Sequence, residues 1–224
     1  MIERTLIIGG GDIDYTFTKK YLSEQKFDSV VCADSGLDVA DKLGLDVNFL
    51  MGDFDSVEKE ILSKYMKKDF LGSNTRYIKY PKEKDYTDMH LVLEWTLEQK
   101  PSEIVILGAT GRRLDHFIAN VNILLLALEK KIPTYIIDRY NKLCLINSEY
   151  RINRHSLWGK YISICPFTEE VTGVSLYGFK YPLTSETIKK GGSRTVSNEL
   201  ADNIDEAVIS LDQGILIVIE SKDN

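Results

Sequence analysis

Up to residue 140 the chain alternates between short unbroken apolar runs and segments with helical spacing. Thr5-Leu6-Ile7-Ile8 stops at Gly9-Gly10-Gly11, Ser29-Val30-Val31-Cys32-Ala33 at Asp34-Ser35-Gly36, and Val47-Asn48-Phe49-Leu50-Met51 at Gly52-Asp53. Ile104-Val105-Ile106-Leu107 stops at Gly108, and Thr134-Tyr135-Ile136-Ile137 at Asp138. Runs this short, without polar alternation, predict strands covered on both faces. Between them, Tyr86 to Gln99 sets Met89, Val92, Leu93 and Thr96 on one side, and His116 to Lys131 does the same with Phe117, Val121, Leu124, Leu125 and Leu128. That spacing predicts amphipathic helices. Strand, Gly- or Asp-rich turn and helix in repeated order predict an open, mostly parallel sheet with right-handed crossovers. Ligands in such sheets bind outside the carboxyl ends of the strands, where these turns fall.

The texture changes after residue 140. Ile162-Ser163-Ile164-Cys165 and Val171 to Tyr177 read as strands, and Ala207 to Leu211 with Ile215 to Glu220 reads as a hairpin around Asp212-Gln213-Gly214. No amphipathic helix of three turns is visible there. Residues 1–140 therefore read as an α/β domain and 141–224 as a small all-β domain, with the boundary between Asp138 and Tyr150.

Composition narrows the function. With 43% hydrophobic and 28% charged residues the chain has the balance of a globular protein rather than a disordered one. A formal net charge of −6 argues against a protein that coats nucleic acid, but an anionic substrate remains possible where a divalent cation mediates. The longest apolar run, Ile123 to Leu128, is far short of the ~20 residues that span a bilayer. The N-terminus shows no basic region leading into an apolar one, so the expected location is cytoplasmic. Cys32, Cys144 and Cys165 form no C-x-x-C pair and read as small buried hydrophobes kept reduced.

Three acidic clusters stand at strand ends or helix starts. In Gly52-Asp53-Phe54-Asp55-Ser56 an extended backbone would turn Asp53 and Asp55 to the same side. In Lys84-Asp85-Tyr86-Thr87-Asp88 the two carboxylates are three apart where a helix begins. Gly108-Ala109-Thr110-Gly111-Arg112-Arg113-Leu114-Asp115-His116 is a glycine turn running into a helix. Each cluster alone also reads as helix capping, with Asp85 as N-cap and Asp88 as its N3 partner. Together they are expected at one edge of the sheet. Two carboxylates ~4 Å apart repel by ~4 kcal/mol at an effective dielectric near 20, so several facing one crevice call for a cation. Oxygen-only ligands suit Mg²⁺, which nucleotide sites hold by one or two carboxylates, water and phosphate. Gly9 to Gly11 and Gly108 to Gly111 can offer backbone N–H groups to phosphate, although neither matches G-x-x-x-x-G-K-[ST] or G-x-G-x-x-G. Arg113 and Arg112 are candidates for phosphate pairing. His116 is expected to be structural, opening the buried face of its helix.

Taken in order, these three motifs resemble those of the thiamine pyrophosphokinase (thiamine diphosphokinase) family, as do Gly178-Phe179-Lys180-Tyr181-Pro182-Leu183 and Ser197-Asn198-Glu199 near the other end. The resemblance covers essentially the whole chain. It implies a Rossmann-like α/β catalytic domain that binds ATP and Mg²⁺, followed by a β-sandwich that binds thiamine and forms a homodimer. The implied reaction moves the terminal diphosphate of ATP to the hydroxyl of thiamine, giving thiamine diphosphate and AMP. By motif position Asp53, Asp55 and Asp88 would be the Mg²⁺ ligands, with Asp85 and Asp115 supporting them in catalysis. Gly10, Gly11, Gly111, Arg113 and Asp115 would bind the nucleotide. Tyr181, Ser197 and Asn198 of the partner subunit would bind thiamine at the subunit interface, with Asp34 near the same cleft. Two departures stand out: many relatives have Gly-Gly-Arg in place of Gly111-Arg112-Arg113, and eukaryotic relatives have Trp in place of Tyr181. Three alternatives remain open. One is a diphosphokinase for another hydroxymethyl acceptor such as a pterin; another is a non-catalytic nucleotide- or thiamine-binding regulator; the third is a structural role in which the acidic clusters only cap helices.

Overall fold

The computed structural model describes residues 4–66, 75–83, 85–111 and 113–223. It divides into two compact units, Met1–Arg139 and Tyr140–Asn224. In the first unit the apolar runs form β1 (Arg4–Ile8), β2 (Ser29–Ala33), β3 (Phe49–Gly52), β5 (Glu103–Leu107) and β6 (Thr134–Ile137), with β4 (Arg76–Lys79) added at one edge. Their order is β4-β3-β2-β1-β5-β6, and every pair is parallel. Helices α1 (Tyr15–Glu24), α2 (Gly36–Leu43), α3 (Lys59–Met66), α4 (Asp88–Glu98) and α5 (Leu114–Glu129) make the crossovers. The middle strands are sealed on both faces: Ile7, Ile8, Ile104 and Ile106 have no accessible surface. The mostly parallel α/β sheet read from the sequence is present.

Strand β4 was not expected. Its Arg-Tyr-Ile-Lys sequence is mostly exposed, because an edge strand keeps polar residues that a central one cannot. Helix α4 buries Met89, Val92, Leu93 and Thr96 as its spacing requires. Helix α5 is rotated from expectation. It buries Asn120, Val121, Ile123, Leu124 and Ala127, while Phe117, Leu125 and Leu128 are only partly covered.

The second unit is a β-sandwich. Strands β7 (Asn141–Ile146), β13 (Leu216–Ser221) and β9 (Tyr161–Pro166) form one antiparallel sheet with β13 in the middle. Strands β11 (Leu183–Lys189), β10 (Glu170–Tyr177), β12 (Glu206–Ser210) and β8 (Tyr150–Asn153) form the other. The expected hairpin is therefore wrong, since β12 and β13 lie in different sheets. Asp212 and Gln213 do not turn the chain back on itself. The Asp212 N–H donates to the Thr172 carbonyl (2.9 Å), and the Thr172 N–H to the Gln213 carbonyl (3.0 Å), so the segment pairs with β10 as it crosses. Gly214, at φ +100°, makes the crossing possible, because a Cβ there would lie 2.7 Å from the Glu170 carbonyl oxygen. Cys32 and Cys144 are buried and Cys165 partly so, all as free thiols.

Candidate active site

Strand order in the first unit reverses between β1 and β5, and the crevice outside such a reversal is where ligands bind. A cleft of about 530 Å³ opens there, over the carboxyl ends of β1, β2 and β5. Two glycine turns form its floor, packed backbone against backbone. The Gly11 N–H donates to the Gly108 carbonyl (3.0 Å), and a Cβ on Gly11 would lie 2.5 Å from that same oxygen. Gly108 sits at φ +69°, and a Cβ on it would lie 2.4 Å from the Gly9 carbonyl oxygen. No larger residue fits either place. Asn120, buried on α5, donates from Nδ2 to the Ala109 carbonyl (2.9 Å) and so ties the second turn to the helix behind it. That bond explains why a polar residue faces inward and why α5 is rotated.

Asp34 stands at the end of β2, on the cleft wall, in the left-handed region at φ +46°. Its Oδ1 is buried with no hydrogen-bond partner among the described residues. Burial raises its pKa above the ordinary carboxylate value; the Ser56 hydroxyl opposes this, and the negative charges of Asp88 and Asp53 reinforce it. Asp34, Asp53 and Asp88 thus share one electrostatic neighbourhood. Asp88 lines the cleft as the first residue of α4. The N-cap is Thr87, whose Oγ1 accepts from the His90 N–H at 3.3 Å, so the reading of Asp85 as the cap is corrected. Asp85 lies before the helix, exposed, and does not line the cleft.

The Asp53–Asp55 reading also needs correction. The backbone is not extended: Phe54 is buried and left-handed at φ +67°, which breaks the alternation that would aim both carboxylates one way. Asp53 instead accepts from the Asp55 N–H (3.0 Å) in a local turn, and Asp55 pairs with Lys82. Among the described residues no group of three or more His, Cys, Asp and Glu side chains is arranged to hold a metal ion. The donor set still fits a hard cation that brings its own phosphate and water ligands. Asp34 and Asp88 line the cleft, Asp53 acts on Asp34 through its charge, Asp34 has an orphaned buried oxygen, and all the donors are oxygen.

Arg113 lines the cleft and is forked onto Asp115, Nε to Oδ1 at 3.2 Å and Nη2 to Oδ2 at 2.5 Å. The guanidinium, helped by the His116 N–H and opposed by desolvation, holds the Asp115 carboxyl down at about 2. His116 is exposed and lines the cleft, so it is not part of a buried face. Lys84 and Arg112 lie outside the described residues.

In the second unit Tyr181 projects from the loop between β10 and β11, 62% exposed. Ser197 is exposed at φ +58°, with its N–H donating to Ser163 Oγ (2.9 Å). Asn198 is 6% exposed.

A family model described as the thiamin pyrophosphokinase catalytic domain matches residues 18–136, and one described as its vitamin B1 binding domain matches residues 149–216. The chain belongs to the thiamine pyrophosphokinase family. The thiamine pyrophosphokinase of Bacillus subtilis (strain 168) is 36% identical over 173 residues, 77% of either chain. A crystal structure of thiamine pyrophosphokinase from Bacillus subtilis superposes with a TM-score of 0.86 at 30% identity, over 99% of this chain and 100% of that one. One from Geobacillus thermodenitrificans gives 0.82 at 31%, over 99% and 98%. The α/β-plus-β-sandwich architecture is that of the family.

Of the residues singled out in the sequence, Asp34, Asp88, Gly10, Gly11, Gly111 and Arg113 line the cleft. Asp53 reaches Asp34 through its charge; Asp55, Asp85 and Asp115 stand away from the lining. Asp12, Ser56, Thr87 and Asn120 line it and were missed. Asp12 had a signal, as it follows the first glycine turn; a buried Asn on an apolar helix face had none.

Proposed function

We propose that the chain transfers the diphosphate of ATP to the hydroxyl of thiamine, releasing thiamine diphosphate and AMP, with Mg²⁺ as cofactor. The observation that carries this is the cleft at the strand reversal, in a chain of this family. Two interlocked glycine turns face a wall that carries Asp34 and Asp88, with Asp53 coupled to Asp34 through its charge. In this reading residues 1–140 hold the nucleotide and do the chemistry, and residues 141–224 bind thiamine and form the dimer. No helix among the described residues is long and apolar enough to cross a membrane, and the cytoplasm is the proposed place of action.

The acceptor oxygen bonds to the β-phosphorus, the bond from that phosphorus to the bridging oxygen breaks, and AMP leaves with the electron pair; the hydroxyl proton passes to a base. The chain's work is to align two substrates and offset charge on the phosphate oxygens. Gly10 and Gly111 present backbone N–H groups to the phosphates, while Gly11, whose own N–H is held by the Gly108 carbonyl, serves by letting the chain approach closely without a side chain. Arg113 exchanges Asp115 for a phosphate, keeping a bidentate fork on either partner. Asp53, Asp55 and Asp88 would hold Mg²⁺, with Asp55 leaving Lys82 to do so and Asp85 and Asp115 supporting from outside the lining. When bound, the cation neutralises the diphosphate and polarises its oxygens. Tyr181 offers thiamine an aromatic face, and Ser197 and Asn198 belong to the same subsite, contributed by the partner subunit of a homodimer.

The test is product analysis with ATP, Mg²⁺ and each acceptor in turn. AMP and thiamine diphosphate forming together, only with thiamine present, is the expected result. AMP with a hydroxymethyl pterin instead, or ligand binding without AMP, overturns it.

A further inference from the structure

Tyr181 presents a problem of placement. A ring 62% exposed has little packing to hold it, yet an aromatic platform is useful only where the backbone sets it beforehand. One side chain from the segment between β11 and β12 solves this. Asn198 Oδ1 accepts from the Tyr181 N–H (3.1 Å) and the Glu199 N–H (2.9 Å), and its Nδ2 donates to the Tyr181 carbonyl (2.8 Å). Both backbone groups of Tyr181 are thereby gripped by a single amide. Two N–H donors converging on Oδ1 also fix which way the amide faces, because a flipped group would set its NH₂ against them.

Asn198 is itself anchored. Its N–H donates to the Ile162 carbonyl (3.0 Å) and its carbonyl accepts from the Ile162 N–H (2.7 Å), tying it to β9. On either side of the clamp the Lys180 N–H donates to the Glu199 carbonyl (2.8 Å) and the Ala201 N–H to the Gly178 carbonyl (2.9 Å). The Arg154 guanidinium holds the far end through the Ala201 (2.6 Å) and Ile204 (2.7 Å) carbonyls. The side chain thus spends three of the four hydrogen bonds an Asn can make on backbone, and it is buried.

We propose that Asn198 is a positioning residue for Tyr181 and makes no contact with the acceptor itself, so that of these three residues Tyr181 and Ser197 alone meet thiamine. The inference deepens the thiamine reading and rests on it for its kinetic arm only. In the full-length chain, Asn198→Ala removes the clamp. Asn198→Asp keeps the acceptor oxygen but sets a carboxylate against the Tyr181 carbonyl, and serves where the alanine variant fails to fold.

Three measurements decide it. Hydrogen exchange at the Tyr181 amide should accelerate at least about tenfold in Asn198→Ala, as a lost local bond requires; unchanged exchange overturns the clamp whatever the substrate. The KM for thiamine should rise about tenfold or more while the KM for ATP stays within about twofold, the signature of a misplaced acceptor platform. In a Tyr181→Ala background, either Asn198 substitution should add little, because its effect runs through a ring already removed. If the two losses multiply instead, Asn198 touches thiamine directly and the proposal falls. A wild-type chain that makes no thiamine diphosphate defeats the proposed function, and the exchange measurement still judges the clamp.

Discussion

Gly52 is backed directly against Asp34: a Cβ on it would lie 3.1 Å from both Cα and Cβ of the aspartate. Gly52 is also at φ +155°, where side chains are rarely found. Gly52→Ala should therefore lower stability by about 1–3 kcal/mol from strain and push Asp34 off the cleft wall. Urea unfolding measures the first effect. A drop in turnover well beyond what the unfolded fraction explains measures the second.

Asp34 is itself a cost to the metal-free fold. Burial, with Asp88 and Asp53 nearby, raises its folded-state pKa, so the native chain binds the proton more tightly than the unfolded one. Stability from this group therefore falls as pH rises from the ordinary carboxylate value through the raised one, and stays low above it. Asp34→Asn should be more stable than wild type at neutral pH without Mg²⁺, with the advantage fading as pH drops through the raised value and gone below the ordinary one. Asp115 has the opposite sign. Held at about 2 by Arg113, it contributes stability above 3.8 that is lost as pH falls toward 2. Unfolding curves across acid pH, with Asp34→Asn and Asp115→Asn side by side, separate the two.

Lys82 and Asp55 form an exposed pair, and solvent screening leaves such pairs little effect on stability. Lys82→Met should leave the unfolding midpoint nearly unchanged. It should lower the Mg²⁺ concentration for half-maximal activity by a few fold, because Asp55 no longer has to leave a partner. Asp55→Asn should keep the fold and lose about a hundredfold or more in kcat, on the scale of removing one charge-stabilising group. Mg²⁺ titrations of both variants check this.

Asn120→Ala leaves the Ala109 carbonyl without its donor, at a cost of about 1–3 kcal/mol where the group is buried. The loosened turn belongs to the phosphate-facing floor, so calorimetry should show weaker binding of ATP. Thiamine binding, measured separately, should not change.

The strands of the first unit were legible because central parallel strands carry an unbroken apolar signal, as Ile104 to Leu107 do. Strand β4 was hidden because Arg76 to Lys79 is polar at an exposed edge. At the site, residue types and motif order were readable while directions were not. Phe54 in the left-handed region replaces the extended segment with a local turn in which the Asp55 N–H donates to Asp53, and no local pattern announces a positive φ at a phenylalanine. His116 was read as core because α5 is apolar nearly all round; which stripe faces inward is settled by Asn120 reaching a carbonyl eleven residues away. The β12–β13 error has a similar origin, since two apolar strands around Asp-Gln-Gly fit a hairpin locally and are parted only by tertiary pairing.

That crossing has a consequence for biosynthesis. Because β13 is the middle strand between β7 and β9, two strands made much earlier have no neighbour on their inner edges until residues 216–221 leave the ribosome. The parallel sheet, complete by residue 137, has no such wait. The second unit therefore spends most of its synthesis with two open strand edges, the state in which nascent chains are most exposed to edge-to-edge association.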